Sequence, residues 1–185
     1  MRVILASKSP RREQLLKERI KEFEIIVSDY EEKSTSQDPI ETAVEFSKGK
    51  AKSVYESLED KTNVIVIGSD TVVYSQNKML GKASSREHAR QMLIALSNKT
   101  HQVISGYCII TNEKTYSGYD ITDVTFNNLT SDDIEKYLDS GLYKGKAGAY
   151  GIQDGFNLVK EYCGSLNNVI GFPTEKIFKI LDEII

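Results

Sequence analysis

Ile4-Leu5-Ala6-Ser7-Lys8-Ser9-Pro10-Arg11-Arg12 carries the chain from a strand into a helix within a few residues. Val3 to Leu5 read as a short buried strand. Ser9 offers an N-cap hydroxyl, Pro10 suits the first helical position, and Glu13-Gln14-Leu15-Leu16 continue the helix. Strand giving way to helix is the pattern the rest of the chain repeats, and it predicts an α/β protein. That geometry sets Lys8, Arg11 and Arg12 at the positive end of a helix dipole, where each cation costs on the order of 0.3–1 kcal/mol. A negative ligand reverses the sign, because the free N–H groups of a helix start already form an anion site. The segment therefore reads as a phosphate cradle. Two solvated arginines on an exposed first turn are the competing reading.

Composition narrows the class. The 185 residues hold 24 Lys and Arg against 27 Asp and Glu, a mildly acidic balance that implies no general nucleic-acid surface. Cys108 and Cys163 have no metal spacing and are too few for a disulfide scaffold. No apolar run approaches membrane-spanning length, and no signal-peptide pattern is seen. The expectation is a cytoplasmic protein with neither nucleic-acid nor membrane partners. Its length suits one domain, residues 1–185.

The order of elements follows from periodicity. Phe23 to Ser28 read as a strand, and Pro39 to Leu58 as a helix with Ala43, Val44, Ser47, Ala51 and Val54 on one face. Val64-Ile65-Val66-Ile67 is a β-branched run of the kind buried on both sides, ending at Gly68-Ser69-Asp70-Thr71. A hairpin across Ser75-Gln76-Asn77-Lys78 is expected next, then a helix from a Ser84/Glu87 capping box to about Ser97. Two long strands, His101–Thr111 and Thr115–Phe126, precede a short helix capped by Thr130 and Asp133. Phe156 to Tyr162 give a last strand, and Pro173 opens a terminal helix. The expected architecture is a mixed, elongated central sheet flanked by helices, with two lobes around a cleft.

Three loops carry chemistry. Asp70 follows a buried strand, where open α/β sheets place their ligands, and could hold a divalent cation or take a proton from water. An Asx-turn at the strand end explains it equally well. Gly81-Lys82 is weak alone. Gly145-Lys146-Ala147-Gly148-Ala149-Tyr150-Gly151-Ile152-Gln153 permits close backbone approach to a ligand, with Gln153 offering both donor and acceptor. It is neither a dinucleotide fingerprint nor a Walker loop, and a flexible connector is its bland reading. Two distant histidines make a zinc site or a Ser-His-Asp triad a poor fit.

Taken in order, these segments resemble the Maf family of nucleoside triphosphate pyrophosphatases over nearly the whole chain. The resemblance runs from Leu5–Arg12 through Glu32, Lys50-Ala51, Gly68–Val73, Gly81-Lys82 and Thr100–Val103 to Lys146–Gln153 and Gly171-Phe172-Pro173. It implies an α/β/α fold like that of the inosine triphosphate pyrophosphatases. It implies hydrolysis of a nucleoside triphosphate between the α and β phosphates. Arg12, Thr71 and Gln153 together resemble the branch that acts on dTTP and UTP. Ala83, Asp154 and Phe172 depart from the family pattern, and Asp154 adds a negative charge beside Gln153.

The residue types suit that reaction. Arg11, Arg12, Lys50 and Lys82 can offset a triphosphate, with Ser7 as a neutral donor and Thr71 and Gln153 toward the substrate. By resemblance Asp70 is the general base, Lys82 a catalytic cation, and Glu32 a second carboxylate that orients water or joins Asp70 on a Mg²⁺ or Mn²⁺ ion. The resemblance also implies a homodimer and a link to septum formation. A non-catalytic nucleotide-binding regulator of cell division, or a pyrophosphatase of different base preference, is the alternative.

Overall fold

The apolar run at the start forms β1 (Arg2–Leu5), which lies parallel to both of its neighbours in a computed structural model that describes residues 1–185. On one side Ile4 and Leu5 pair with β2 (Glu24–Ile25). On the other, Arg2 to Leu5 pair in step with Val64 to Ile67 of β3 (Val64–Ser75). The remaining strands are β4 (Lys78–Leu80), β5 (Thr100–Thr111), β6 (Thr115–Phe126) and β7 (Val159–Cys163). They make a mixed seven-stranded sheet in the order β2-β1-β3-β5-β6-β7, with β4 antiparallel on β3. The helices are α1 (Pro10–Lys17), α2 (Pro39–Ser57), α3 (Arg86–Leu96), α4 (Ser131–Asp139), α5 (Leu166–Ile170) and α6 (Thr174–Ile184). No helix is long and apolar enough to cross a membrane.

The chain divides into two compact units. Unit 1 comprises Met1–Thr71, Ser105–Asp120 and Gly171–Ile185; unit 2 comprises Val72–Ile104 and Ile121–Ile170. In unit 1, Ile4, Ala6, Val64, Val66 and Cys108 pack with Ala51 and Val54 of α2. Glycine makes that packing possible. A Cβ on Gly68 would lie 2.5 Å from the Ser47 carbonyl, and one on Gly106 2.2 Å from the Ala43 carbonyl. The backbone of α2 thus rests directly on β3 and β5 at two strand glycines, where a side chain would hold it off.

Unit 2 is built around Leu93 and Leu96 of α3, Phe126 of β6, and Tyr137 and Leu138 of α4. Burying each large apolar side chain contributes roughly 1.5–3 kcal/mol. His101, Phe126 and Tyr150 meet edge to face, and His101 Nε2 lies 2.7 Å from the Tyr150 hydroxyl. Burial pushes the His101 imidazole down to about 4 and the Tyr150 phenol up.

Several sequence expectations hold and others need correction, among them the last strand, which begins at Val159 and not at Phe156. The α4 capping box forms as read, with Thr130 Oγ1 accepting from the Asp133 amide and the Asp133 carboxylate accepting from Thr130. β2 is only two residues long and exposed, because the chain beyond it leaves the sheet edge and fastens to α2 through Ser28 and Ser53. β3 does not end at Ile67; it runs unbroken to Ser75, carried onward by its neighbours β5 and β4. Ser85, not Ser84, caps α3, accepting from the His88 amide, while Ser84 hydrogen-bonds the His88 ring. Ser9 occupies the N-cap position of α1 without a side-chain cap; its own amide donates to Ser7 Oγ at 3.1 Å.

Candidate active site

Asp70 stands in the middle of β3, not in a turn beyond it, so the Asx-turn reading fails. Asp70 is buried, and its carboxylate accepts from Lys50 Nζ at 2.5 Å. Lys50 also reaches Glu32 Oε1 at 2.7 Å. One ammonium therefore bridges two carboxylates, with 13% of the Lys50 side chain exposed, 9% of Asp70 and 35% of Glu32.

Local sequence explains how three distant residues meet. Gly68 lets α2 settle on β3, which brings Lys50 beside Asp70 one strand step away. Glu32 arrives on an irregular segment pinned to the same helix. Ser28 Oγ meets Ser53 Oγ at 3.1 Å, Ser53 donates to Asp29, and the Tyr30 amide donates to Ser28. The Tyr30 ring then lies over Gly49, leaving no room for a Cβ there. A mid-helix glycine costs about 1 kcal/mol relative to alanine; here it admits the ring that positions Glu32. Burial raises the Tyr30 phenol above its ordinary value, helped by Glu45, Glu32 and Asp70.

The cradle at the start of α1 is more specialised than the sequence implied. Arg12 directs its guanidinium inward. Nε donates to the Gly171 carbonyl at 2.8 Å, Nη1 to the Ser69 carbonyl at 2.7 Å, and Nη2 to Thr71 Oγ1 at 3.2 Å. Ser7 Oγ lies 3.5 Å from Nη1. Burial pulls the guanidinium below its ordinary value, while the charge of Asp70 opposes the shift. Arginine still stays protonated throughout the physiological range. Most of the Arg12 fork is thus occupied by protein acceptors. Lys8 and Arg11 keep no acidic partner, which leaves them as the cations open to an anion at this helix start.

Four supporting groups lie outside the expected site residues, although Ser69 and Gly171 fall within motifs that carry the family resemblance. Ser69 is fully buried and donates to the Gly106 carbonyl at 2.8 Å. Ser105 Oγ meets Thr71 Oγ1 at 2.9 Å. Gly171 offers its carbonyl to Arg12 and adopts φ +112°, with Thr71 Oγ1 only 3.0 Å from where a Cβ would stand. Gly106 receives α2. A lone glycine interrupting a strand pattern was the available signal for Gly106; the buried hydroxyls had none.

Unit 2 carries the remaining candidates. Ala147 forms an antiparallel bridge with Lys82, and the Gly148 amide donates to the Gly81 carbonyl at 3.0 Å. Gln153 is exposed on a single 3-10 turn, Ile152–Asp154. The stretch is therefore an anchored loop, not a flexible connector. Beside it opens a cavity of about 500 Å³ lined by Gly151, Ile152, Phe156, Leu158 and Tyr162 among others. Asp154 is not the loose charge expected beside Gln153. Lys146 Nζ donates to both of its oxygens, at 2.7 and 2.6 Å, and the Tyr137 hydroxyl donates to Oδ2 at 2.7 Å.

No cluster of three or more His, Cys, Asp or Glu side chains exists to cage a metal ion. The pair on Lys50 still suits a hard cation, because Mg²⁺ is commonly held by one or two carboxylates together with substrate phosphates.

A mixed α/β sheet with a lysine-bridged carboxylate pair and an arginine-stapled helix start places the chain in a class that comparison then identifies. The family model described as Maf-like protein matches residues 2–184, and the chain belongs to that family. A relative from Thermococcus kodakarensis, named dTTP/UTP pyrophosphatase, is 44% identical over 179 residues, covering 96% of this chain and 94% of its own. One of the same name from Clostridium tetani is 41% identical, covering 100% and 98%. Another, from Aquifex aeolicus, is 40% identical, covering 100% and 96%. Among solved structures, a nucleoside-triphosphatase described as a dITP/XTP pyrophosphatase, from Mycobacterium abscessus, is 13% identical. It covers 71% of this chain and 77% of its own at a TM-score of 0.45, a likeness too loose to carry an argument.

Proposed function

We propose that the protein hydrolyses nucleoside triphosphates, dTTP and UTP foremost, between the α and β phosphates, releasing a nucleoside monophosphate and pyrophosphate. The observation that carries this reading is the buried Asp70 carboxylate held at 2.5 Å by Lys50, with Glu32 on the same ammonium. The names of the relatives supply the nucleotide class.

In this reading Asp70 accepts a proton from water as the water oxygen bonds to the α-phosphorus. The α–β bridge breaks and pyrophosphate departs. Lys50 holds the Asp70 carboxylate through its ammonium and then shares its charge with the incoming phosphates. Arg11 and Lys8 meet the triphosphate at the start of α1, where backbone amides add their donors. Lys82 supplies a further cation, Thr71 and Ser7 keep Arg12 in place, and Gln153 reads the base by donor and acceptor. A divalent cation held by Asp70 and Glu32 would supply charge neutralisation on the phosphates. Phosphoryl transfer depends chiefly on such positioning and electrostatics.

The deciding experiment is a pyrophosphate-release assay on a panel of pyrimidine and purine triphosphates with Mg²⁺ or Mn²⁺. Release from dTTP and UTP ahead of GTP and ATP is the expected outcome. Binding without turnover would make the protein a nucleotide sensor, and a purine preference would overturn the base assignment.

A further inference from the structure

The ion pair between Lys146 and Asp154 is built where stability alone gives little reason for it. The two side chains are 9% and 6% exposed. A charged pair taken so far out of water loses hydration that its attraction barely repays, and apolar residues of similar volume often serve stability as well. Its surroundings are equally specific. The Tyr137 hydroxyl donates to Asp154 and accepts from the Gly151 amide at 3.1 Å, and Tyr137 itself is fully buried. A Cβ on Gly151 would lie 2.6 Å from Asp154 Oδ2, so the carboxylate is packed against the backbone that leads into the 3-10 turn.

The position of the pair along the chain gives it a purpose. Lys146 immediately precedes Ala147, the residue bridged to Lys82. Asp154 immediately follows Gln153 and closes the same 3-10 turn, its amide donating to the Gly151 carbonyl at 3.1 Å. One end of the pair thus abuts the backbone that seats Lys82, and the other abuts Gln153, the proposed base reader. We propose that Lys146, Asp154 and Tyr137 are positioning residues that clamp the loop closed, fixing the Lys82 cation and the Gln153 reader relative to one another and so setting base discrimination. The inference rests on the nucleotide reading for its ligand and on the loop geometry for its mechanism.

The double variant Lys146→Met/Asp154→Leu tests it, because matched apolar residues preserve packing while deleting the clamp. Its UTP kcat/KM is expected to fall about tenfold, since small misplacements near reacting groups are costly. Its preference for UTP over GTP should fall about fivefold as the reader loses its fixed pose. Amide exchange at Gly148 and Asp154 should quicken at least about tenfold while global stability holds. Unchanged preference together with unchanged exchange would overturn the clamp. Should the double variant not fold, Tyr137→Phe removes one donor and keeps the ring; a weaker shift in the same direction upholds the proposal, and none overturns it. If the native protein hydrolyses no triphosphate, the nucleotide reading falls, while the exchange comparison still decides the clamp.

Discussion

At the scale of single residues, Asp70 and Gln153 make different demands on an experiment. Asp70→Asn keeps the shape and the hydrogen bond from Lys50 but cannot take a proton. Its kcat is expected to drop by about 10²–10⁴-fold, the usual worth of a positioned base. Nucleotide affinity by calorimetry should stay close to native; near-normal turnover would remove Asp70 from the base role. Gln153→Ala should alter preference among bases more than it slows the best substrate, and an equal loss on every triphosphate would make it a structural residue. Arg12 carries a structural task that residue type alone does not reveal. The sequence reads Arg11 and Arg12 as phosphate ligands, with Arg12 tied by resemblance to substrate choice as well, and the structure adds that Arg12 joins Ser69, Thr71 and Gly171. Arg12→Lys cannot reproduce that planar fork. Chemical denaturation should find it about 1–3 kcal/mol less stable, a loss that a purely substrate-facing arginine would not show.

At the scale of elements, α2 does the organising. It rests on Gly68 and Gly106, presents Lys50 to Asp70, and receives Tyr30 over Gly49 so that Glu32 joins them. Gly106→Ala forces a methyl against the Ala43 carbonyl and should destabilise the fold by about 1–3 kcal/mol. Turnover should weaken too, since Lys50 moves with the helix; a stable and fully active variant would show that α2 can shift without consequence. Much of this was legible in the chain. The apolar face of α2, the capping box of α4 and the β-branched start of β3 each follow from local pattern. The length of β3 was not, because Gly68-Ser69-Asp70-Thr71 has the composition of a turn, and only pairing with neighbours keeps it extended. Nor was the fate of Asp154 legible, since its partners Lys146 and Tyr137 are brought to it by tertiary packing.

At the scale of the molecule, a buried histidine ties stability to pH. His101 is 2% exposed, and burial lowers it from 6.5 to about 4. Between those values the unfolded chain binds a proton that the folded chain refuses. Stability is therefore complete above the unfolded value and declines as pH falls through that window, by about 3 kcal/mol at its lower end. Comparing native protein with His101→Gln in denaturant at neutral and acidic pH isolates this contribution, because the carboxylates cancel between the two. The native protein should lose more on acidification; equal losses would assign the sensitivity elsewhere.

The guanidinium of Arg12 has one more implication, and it concerns the order in which the chain is made. Arg12 is translated 159 residues before Gly171, whose carbonyl accepts from its Nε. Unit 1 likewise draws on three separated stretches, the last beginning at that glycine. A nascent chain can pair β1 with β3 and seat α2 long before then, yet its anion seat stays unfinished. Ribosome-bound intermediates shorter than this should consequently be silent toward nucleotide, acquiring the ligand only once Gly171 has emerged.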